Sequence, residues 1–274
     1  MSRAAGEPLA ATATTADHWL LVEVPGSWPR DVSTAGTLPG PAHAAVSAWL
    51  ERTPRSRLLF VRRPGRVGAH AIVHAVRAQE RTTETRRLEV AGLDGLAAVD
   101  FDADGDVVET QLVLVCGHGS RDACCALRGT AIYAALADTI GDDELWISSH
   151  QGGHRFAGNV LVLPHGIQLG RLDPGDAPFV TARALAGQIE LGHYRGRTCY
   201  RSAVQAAEHA VRTALGLDRI EDVQLAGDEG SLVRLRTGDG SEHAVRVEEA
   251  VGPVVPASCG ADPVAQAVLS ARLV

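Results

Sequence analysis

The apolar positions of this chain fall into short runs of two kinds. Trp19-Leu-Leu-Val-Glu-Val24 is a near-continuous apolar run closed by Pro25-Gly26, the form of a buried strand. Ala42 to Arg52 spaces Ala45, Val46, Trp49 and Leu50 onto one face at helical period. Leu58–Val61 is again a short apolar strand, and Ala69–Val76 and Arg86–Val90 are further strand candidates. Residues 1–105 thus alternate strand and helix and predict an α/β unit. The first 16 residues show no such pattern and read as a loose, disordered tail.

A second unit spans residues 106–218. Gln111–Val115 is a continuous apolar strand, as expected when both faces are covered. Ala126–Ala137 is Ala-rich and helical, Leu145–Ser148 and Asn159–Leu163 are strands, and Ile167–Leu172 pairs back through His165-Gly166. Thr198 is an N-cap candidate for a long helix with Tyr200, Ala203, Val204, Ala207, Ala210, Val211 and Ala214 on one face. The order strand, helix, strand, strand, strand, helix is that of a thioredoxin-like layer. The fold class expected is α/β, with two thioredoxin-like units in tandem. Residues 219–274 add a small C-terminal β-hairpin, in which Leu232–Arg236 and His243–Val247 flank the turn-rich Thr237–Ser241.

Composition narrows the function. The chain has 274 residues, 45% hydrophobic but only 4% aromatic, so its core is built from Ala, Val, Leu and Ile. Its net charge is -7, which argues against nucleic acid as a partner, since phosphate binding needs clustered positive charge. Every basic side chain is Arg; the small clusters Arg62-Arg63 and Arg195-Gly-Arg197 read as solvated surface. No apolar run approaches the ~20 residues of a membrane span, and the N-terminus lacks the apolar region of a signal peptide. A cytoplasmic location is the default expectation, with no membrane partner. The 5 cysteines form no even disulfide framework and point to ligands, catalysts or small core residues.

The chemistry concentrates between Cys116 and His154. Cys116 follows a buried strand, Cys124 and Cys125 open a helix, and His150-Gln-Gly-Gly-His154 follows another strand. A helix N-terminus favours the thiolate, the form that binds metal. Gly152-Gly153 lets the backbone turn so that His154 faces the same centre as His150. Thiolates and neutral imidazoles together suit zinc or an iron–sulfur cluster. Taken singly, each residue reads as readily as a buried Cys, a surface His or a cap. A thiol-dependent enzyme using Cys116, His150 and Asp122 leaves the second histidine unexplained. His118 and His165 are candidate supporting donors, Cys199 a core residue, and Cys259 a loop residue without a ligand cluster. Dithiol C-x-x-C and Gly-rich phosphate loops are absent.

These segments resemble the sucrase/ferredoxin-like family of thioredoxin-like ferredoxins. The resemblance lies in V-C-G-H-G-S-R-D-A-C-C-A at 115–126 and in W-I-S-S-H-Q-G-G-H-R-F-A-G-N-V-L-V-L-P-H-G at 146–166. It extends to Y-R-G-R-T-C-Y-R-S-A-V-Q-A-A-E at 194–208, to G-E-P-L-A near the N-terminus, and to W-L-L-V-E-V-P-G-S-W at 19–28. It implies a [2Fe-2S] cluster in the second unit, held by Cys116, one of the adjacent cysteines, His150 and His154. The family spacing of eight residues between cysteines selects Cys125; Cys124 would leave seven. The histidines stand where ordinary thioredoxin-like ferredoxins carry C-x-x-x-C, and the pattern is not that of a Rieske site. No paired carboxylates support the "sucrase" of the name.

Two thiolates and two neutral imidazoles leave an oxidised +2 core neutral, whereas four thiolates leave it at -2. The resemblance therefore implies a potential above the roughly -400 mV of all-Cys plant-type ferredoxins, with proton coupling through the histidines. The function expected is a one-electron carrier, more a transfer protein than a catalyst, with a redox protein, reductase or acceptor, as partner. The alternatives are a structural or regulatory zinc domain on the same four ligands, and the thiol-dependent enzyme.

Overall fold

Short apolar runs become the central strands. The computed structural model describes all residues except 1, 67 and 259. Strand β1 (His18–Glu23), helix α1 (Gly40–Arg52), and strands β2 (Ser56–Arg62), β3 (His70–Ala78) and β4 (Thr83–Ala91) stand where the pattern places them, with shifted ends. Then follow β5 (Asp106–Val108), β6 (Leu112–Cys116), α2 (Ala123–Leu136), β7 (Leu145–Ser148), β8 (Val160–Leu163) and β9 (Ile167–Leu169). Three elements up to this point escape the apolar pattern: β5, α3 (Ala177–Leu185) and β10 (Tyr194–Arg197). The last is Tyr-Arg-Gly-Arg, a strand buried at all four positions, two of them arginine.

These strands form a single 10-stranded mixed sheet in the order β10-β9-β8-β6-β7-β2-β1-β3-β4-β5. The α/β class is as expected, but the two units read as a tandem contribute to one sheet, not two. They meet where β2 pairs antiparallel with β7, through Val61↔Ser148 and Arg62↔Ile147. That pairing satisfies backbone groups that two separate sheets would leave as open edges. Leu20, Val22, Phe60 and Val73 face Val46 and Trp49 of α1. On the opposite face Trp19, Leu21, Leu59 and Val61 share one core with Leu112, Leu114, Trp146 and Leu161 from the second half. Alternation along β1 and β2 thus builds two cores at once. Val113, Val115, Val160 and Val162 pack with Ile132 and Leu136 of α2 and Val180 of α3.

Helix α4 (Ser202–Leu215) begins after Arg201, not at Thr198. It joins the sheet to a separate 4-stranded antiparallel sheet of β11 (Val223–Glu229), β12 (Leu232–Thr237), β13 (Glu242–Pro256) and β14 (Pro263–Leu273). The small hairpin expected here is therefore its two inner strands only. Acidic residues such as Glu248 and Glu249 lie on exposed positions of β13 and obscure the alternation. Val204, Ala207 and Val211 of α4 pack on Val233, Leu235 and Val245 of this sheet.

The N-terminal tail is packed rather than loose. Ser2, Glu7, Leu9, Ala13 and Ala16 are buried. Thr14 N donates to Gln168 Oε1 (2.6 Å), Ala13 N to Gln205 Oε1 (3.2 Å) and Ala16 N to Thr198 O (2.9 Å). Amide side chains from the core thereby supply hydrogen bonds that this segment does not make within itself. Among the described residues, no helix is long and apolar enough to cross a membrane.

The buried face of α4 is partly ionic. Glu208 and Arg212 are both fully buried; Arg212 Nε and Nη2 donate to Glu208 Oε1 at 3.1 and 3.0 Å. Tyr194 Oη donates to Glu208 Oε2 at 2.8 Å, and Arg212 Nη1 reaches Arg219 O at 2.6 Å. Removing one partner of such a pair strands the other charge in the core. Glu208→Leu is expected to destabilise the chain by about 3–5 kcal/mol, read as a lower urea midpoint. A midpoint matching wild type would show that the pair does not hold α4 in place.

Candidate metal centre

The strand order decides which loops meet. β6 and β7 run parallel with Cys116 opposite Ser148, so the chain leaves both strands at the same end. Gly117 N donates to Ser148 O (3.1 Å), and Cys116 N to Asn159 O (3.0 Å) on the neighbouring side. Ser149 is fixed to β2 by two bonds, Ser149 N to Phe60 O (2.7 Å) and Phe60 N to Ser149 Oγ (3.0 Å). The His150 loop therefore starts from a position set by three strands.

Helix α2 supplies the second thiol. Asp122 is its N-cap and accepts from Cys124 N at 2.9 Å. The helix lies against β6 because residue 129 is glycine: a Cβ there would sit 2.2 Å from Cys116 O. That close approach turns Cys125 inward, where it is buried, and leaves Cys124 half-exposed. Cys124 instead lines a cavity with Asp122 and His154.

The His-Gln-Gly-Gly-His turn is held from below. Gln151 Nε2 donates to Leu114 O and Ser148 Oγ, both at 2.7 Å. Gln151 O accepts from Thr14 Oγ1 (2.5 Å) and Gln168 Nε2 (3.2 Å). Gly152 and Gly153 have φ of +91° and +70°, and a Cβ on Gly153 would lie 2.3 Å from Arg195 Nη2. Glycine is needed there for both backbone and space. His118 anchors the start of the turn: its Nδ1 accepts from His150 N (3.1 Å), and its Nε2 donates to Pro29 O (2.8 Å). These two bonds fix the His118 tautomer.

Ligand atoms of Cys116, Cys125 and His150 lie within 4.8 Å of one another. His154 stands beside them, its Nδ1 3.4 Å from His150 Nε2 and its ring tilted against that of His150. Of the four residues expected to be ligands, three converge and the fourth flanks them. The Cys116 thiol is held well below its ordinary value, first by a hydrogen bond from the Cys125 thiol and then, against burial, by His150. Cys125 is pushed up by the same bond and by burial, so the pair shares one proton as thiolate and thiol. Burial, then His150, lowers the His154 pKa and favours the neutral, ligating ring. His150 Nδ1 is buried with no hydrogen-bond partner among the described residues. Soft thiolate, neutral imidazole and an orphaned ring nitrogen are what a metal would satisfy.

The basic clusters read as solvated surface are different in kind. Arg195 is 1% and Arg197 3% exposed. Arg195 donates to Gly152 O (3.0 Å), Asn159 Oδ1 (2.9 Å) and Thr12, and so ties the tail and β8 to the turn. Burial lowers its pKa to about 9. Arg63 is buried against Glu23 at 3.2 Å. No apolar pattern announces a buried arginine whose partners are distant carbonyls. Cys199 is buried in the α4 core, as expected. His165 is half-buried, and burial lowers its pKa. Cys259 lies outside the described residues.

The sequence model of the sucrase/ferredoxin-like family matches residues 9–196 of the chain. Proteins named Altered inheritance of mitochondria protein 32 are also similar. That of Saccharomyces kudriavzevii is 48% identical over 59 residues, 21% of this chain and 19% of that protein. That of Eremothecium gossypii is 38% identical over 92 residues, 32% of this chain and 28% of that protein. That of Meyerozyma guilliermondii is 29% identical over 110 residues, 36% of this chain and 38% of that protein. The chain thus spans well under two thirds of the length of these relatives. No solved structure matches. These matches correct the expected one-electron carrier: the relatives are named for mitochondrial inheritance, and neither that name nor the family description shows a [2Fe-2S] electron carrier.

The shared proton gives a directional expectation. In metal-free protein, Cys125→Ala removes the donor that stabilises the Cys116 thiolate, so Cys116 should titrate at higher pH than in wild type. Ultraviolet thiolate absorbance against pH reads this directly. A Cys116 transition that stays in place, or moves down, would refute the bond between the two thiols.

Proposed function

The chain belongs to the sucrase/ferredoxin-like family, and from that premise we propose that its function is to hold a metal centre through Cys116, Cys125, His150 and His154, the centre being a [2Fe-2S] cluster. The observation that carries this reading is the convergence of the Cys116, Cys125 and His150 donor atoms within 4.8 Å. The cluster is favoured by the family's name and by a donor set of two thiols and two imidazoles. When bound, it supplies an iron centre ligated by both sulfur and nitrogen. The chain's part is positional. Cys116 presents a thiolate at a strand end, Gly129 lets α2 carry Cys125 to it, and His118 fixes the backbone from which His150 extends. His154, beside His150 with its Nδ1 3.4 Å from His150 Nε2, would supply the fourth donor. We read the two halves of the large sheet, residues 1–105 and 106–218, as thioredoxin-like units that share this centre's scaffold.

Protein purified without oxygen is expected to carry about two irons and two acid-labile sulfides per chain, with visible colour. Cys125→Ser should remove most of the iron, while Cys124→Ser should keep it, because only Cys125 is turned inward. Zinc without sulfide in wild type would contradict the cluster. Loss of iron in Cys124→Ser with retention in Cys125→Ser would contradict the ligand assignment.

A further inference from the structure

Two cavities flank the centre, and they differ in how their charges are balanced. The one beside Cys124 and His154 has three of its four arginines facing carboxylates, while Arg171 donates to Ser2 Oγ and Glu7 O. Arg3 and Arg128 face Asp173 at 3.7 and 2.8 Å, and Arg155 faces Glu7 at 2.7 Å. The other, of about 360 Å³, opens beside His150 between the segments at 30–33 and 118–121. Arg30, Arg57 and Arg121 line it with His118, His150 and Asp31.

No carboxylate pairs with Arg30, Arg57 or Arg121 among the described residues. Arg57 touches only neutral oxygens, Thr14 Oγ1 at 3.2 Å and His150 O at 3.5 Å. Asp31 is the one acid in the lining; its Oδ1 accepts from Ser33 N (3.0 Å) and Ser33 Oγ (2.7 Å), and these bonds, with a smaller pull from Arg121, lower its pKa. Burial, and then repulsion from Arg121, lowers the Arg57 pKa. A chain of net charge -7 thus gathers three guanidinium groups against one carboxylate in a single concavity. Cations held together in excess of their counter-charge, in a half-buried place, are stabilised by a bound anion, and guanidinium forks match phosphate and carboxylate oxygens. The volume is that of a small-molecule site.

We propose that this cavity binds a small polyanion, of phosphate or polycarboxylate type, through Arg57, Arg121 and Arg30 beside His150. The site adjoins one metal ligand, His150, but its anion-binding groups are arginines that are not ligands, and its occupation does not depend on which metal the ligands hold. Among the described residues the Arg121 side chain makes no hydrogen bond or ion pair, so Arg121→Ala tests it without disturbing the scaffold. Arg57→Gln keeps a donor for Thr14 while removing the charge.

Full-length protein, as purified, is titrated calorimetrically with pyrophosphate and separately with citrate at low ionic strength, while the visible absorbance of the centre is followed. Saturable binding of one anion per chain is expected, weakening with added salt. Arg121→Ala and Arg57→Gln should each weaken it about tenfold or more, and Arg128→Ala, in the other cavity, should leave it unchanged. Pyrophosphate binding alone would identify the phosphate type, and citrate alone the polycarboxylate type. No saturable heat with either anion would overturn the proposal. So would heat that only tracks loss of the centre's absorbance, or both charge-removing variants binding as wild type does. Unchanged absorbance in Arg121→Ala keeps this outcome apart from any failure at the metal ligands.

Discussion

Everything at the centre depends on a short antiparallel contact between β2 and β7. Two residue pairs, Val61↔Ser148 and Arg62↔Ile147, convert two half-sheets into one and place the end of β7 between β2 and β6. Ser149 extends that contact by bonding Phe60 through both backbone and side chain. The turn that carries both histidines therefore leaves the sheet from a fixed point, next to the strand end that carries Cys116. The first half of the chain also reaches the centre through Thr14 on Gln151 O, Arg57 on His150 O and Pro29 O on His118, but only this junction fixes the strand from which the turn leaves. With it, Phe60 and Ser149 tie the centre to the core around Trp49.

A second layer of polar groups translates that fixed point into side-chain geometry. Gln151, Gln168, Asn159 and Arg195 are all buried, and each donates to backbone or side-chain oxygens of the turn or of its neighbours. Buried polar groups of this kind are costly if unmet and rigidifying when met. The N-terminal tail is part of the layer, since Thr12 accepts from Arg195 and Thr14 donates to Gln151 O. His150 Nδ1 and Gln151 Oε1 are buried without a hydrogen-bond partner among the described residues, and His150 lies among the donors that converge. Satisfied polar groups surround an unsatisfied ligand set, which is the arrangement of a site built for something else to complete.

Much of this was readable from the chain, though unevenly. The apolar runs located β1, β2, β6, β7 and β8 because those strands are buried on both faces. The cysteine and histidine spacing located the centre because each residue follows a strand end or opens a helix. Selection of Cys125 over Cys124 came from family spacing, and in the structure it is Cys125 that α2 turns inward. The β2–β7 junction was not readable, since it joins residues far apart in sequence through backbone bonds alone. Arg195 and Arg197 misled because charge pattern cannot tell a solvated cation from one held by carbonyls. Residues 2–16 misled because their order comes from Gln168, Gln205 and Arg195, not from any periodicity of their own. The C-terminal sheet was seen only at its inner strands, where alternation is cleanest.

Whether the two histidines and two cysteines act on one atom cluster is the claim on which the account rests. X-ray absorption at the metal edge of the as-purified protein reads the donor atoms directly. The account predicts a first shell containing both sulfur and nitrogen, with the nitrogen component lost when His150 and His154 are both replaced by cysteine. An all-sulfur shell in wild type, or a nitrogen component that survives the double replacement, would contradict it.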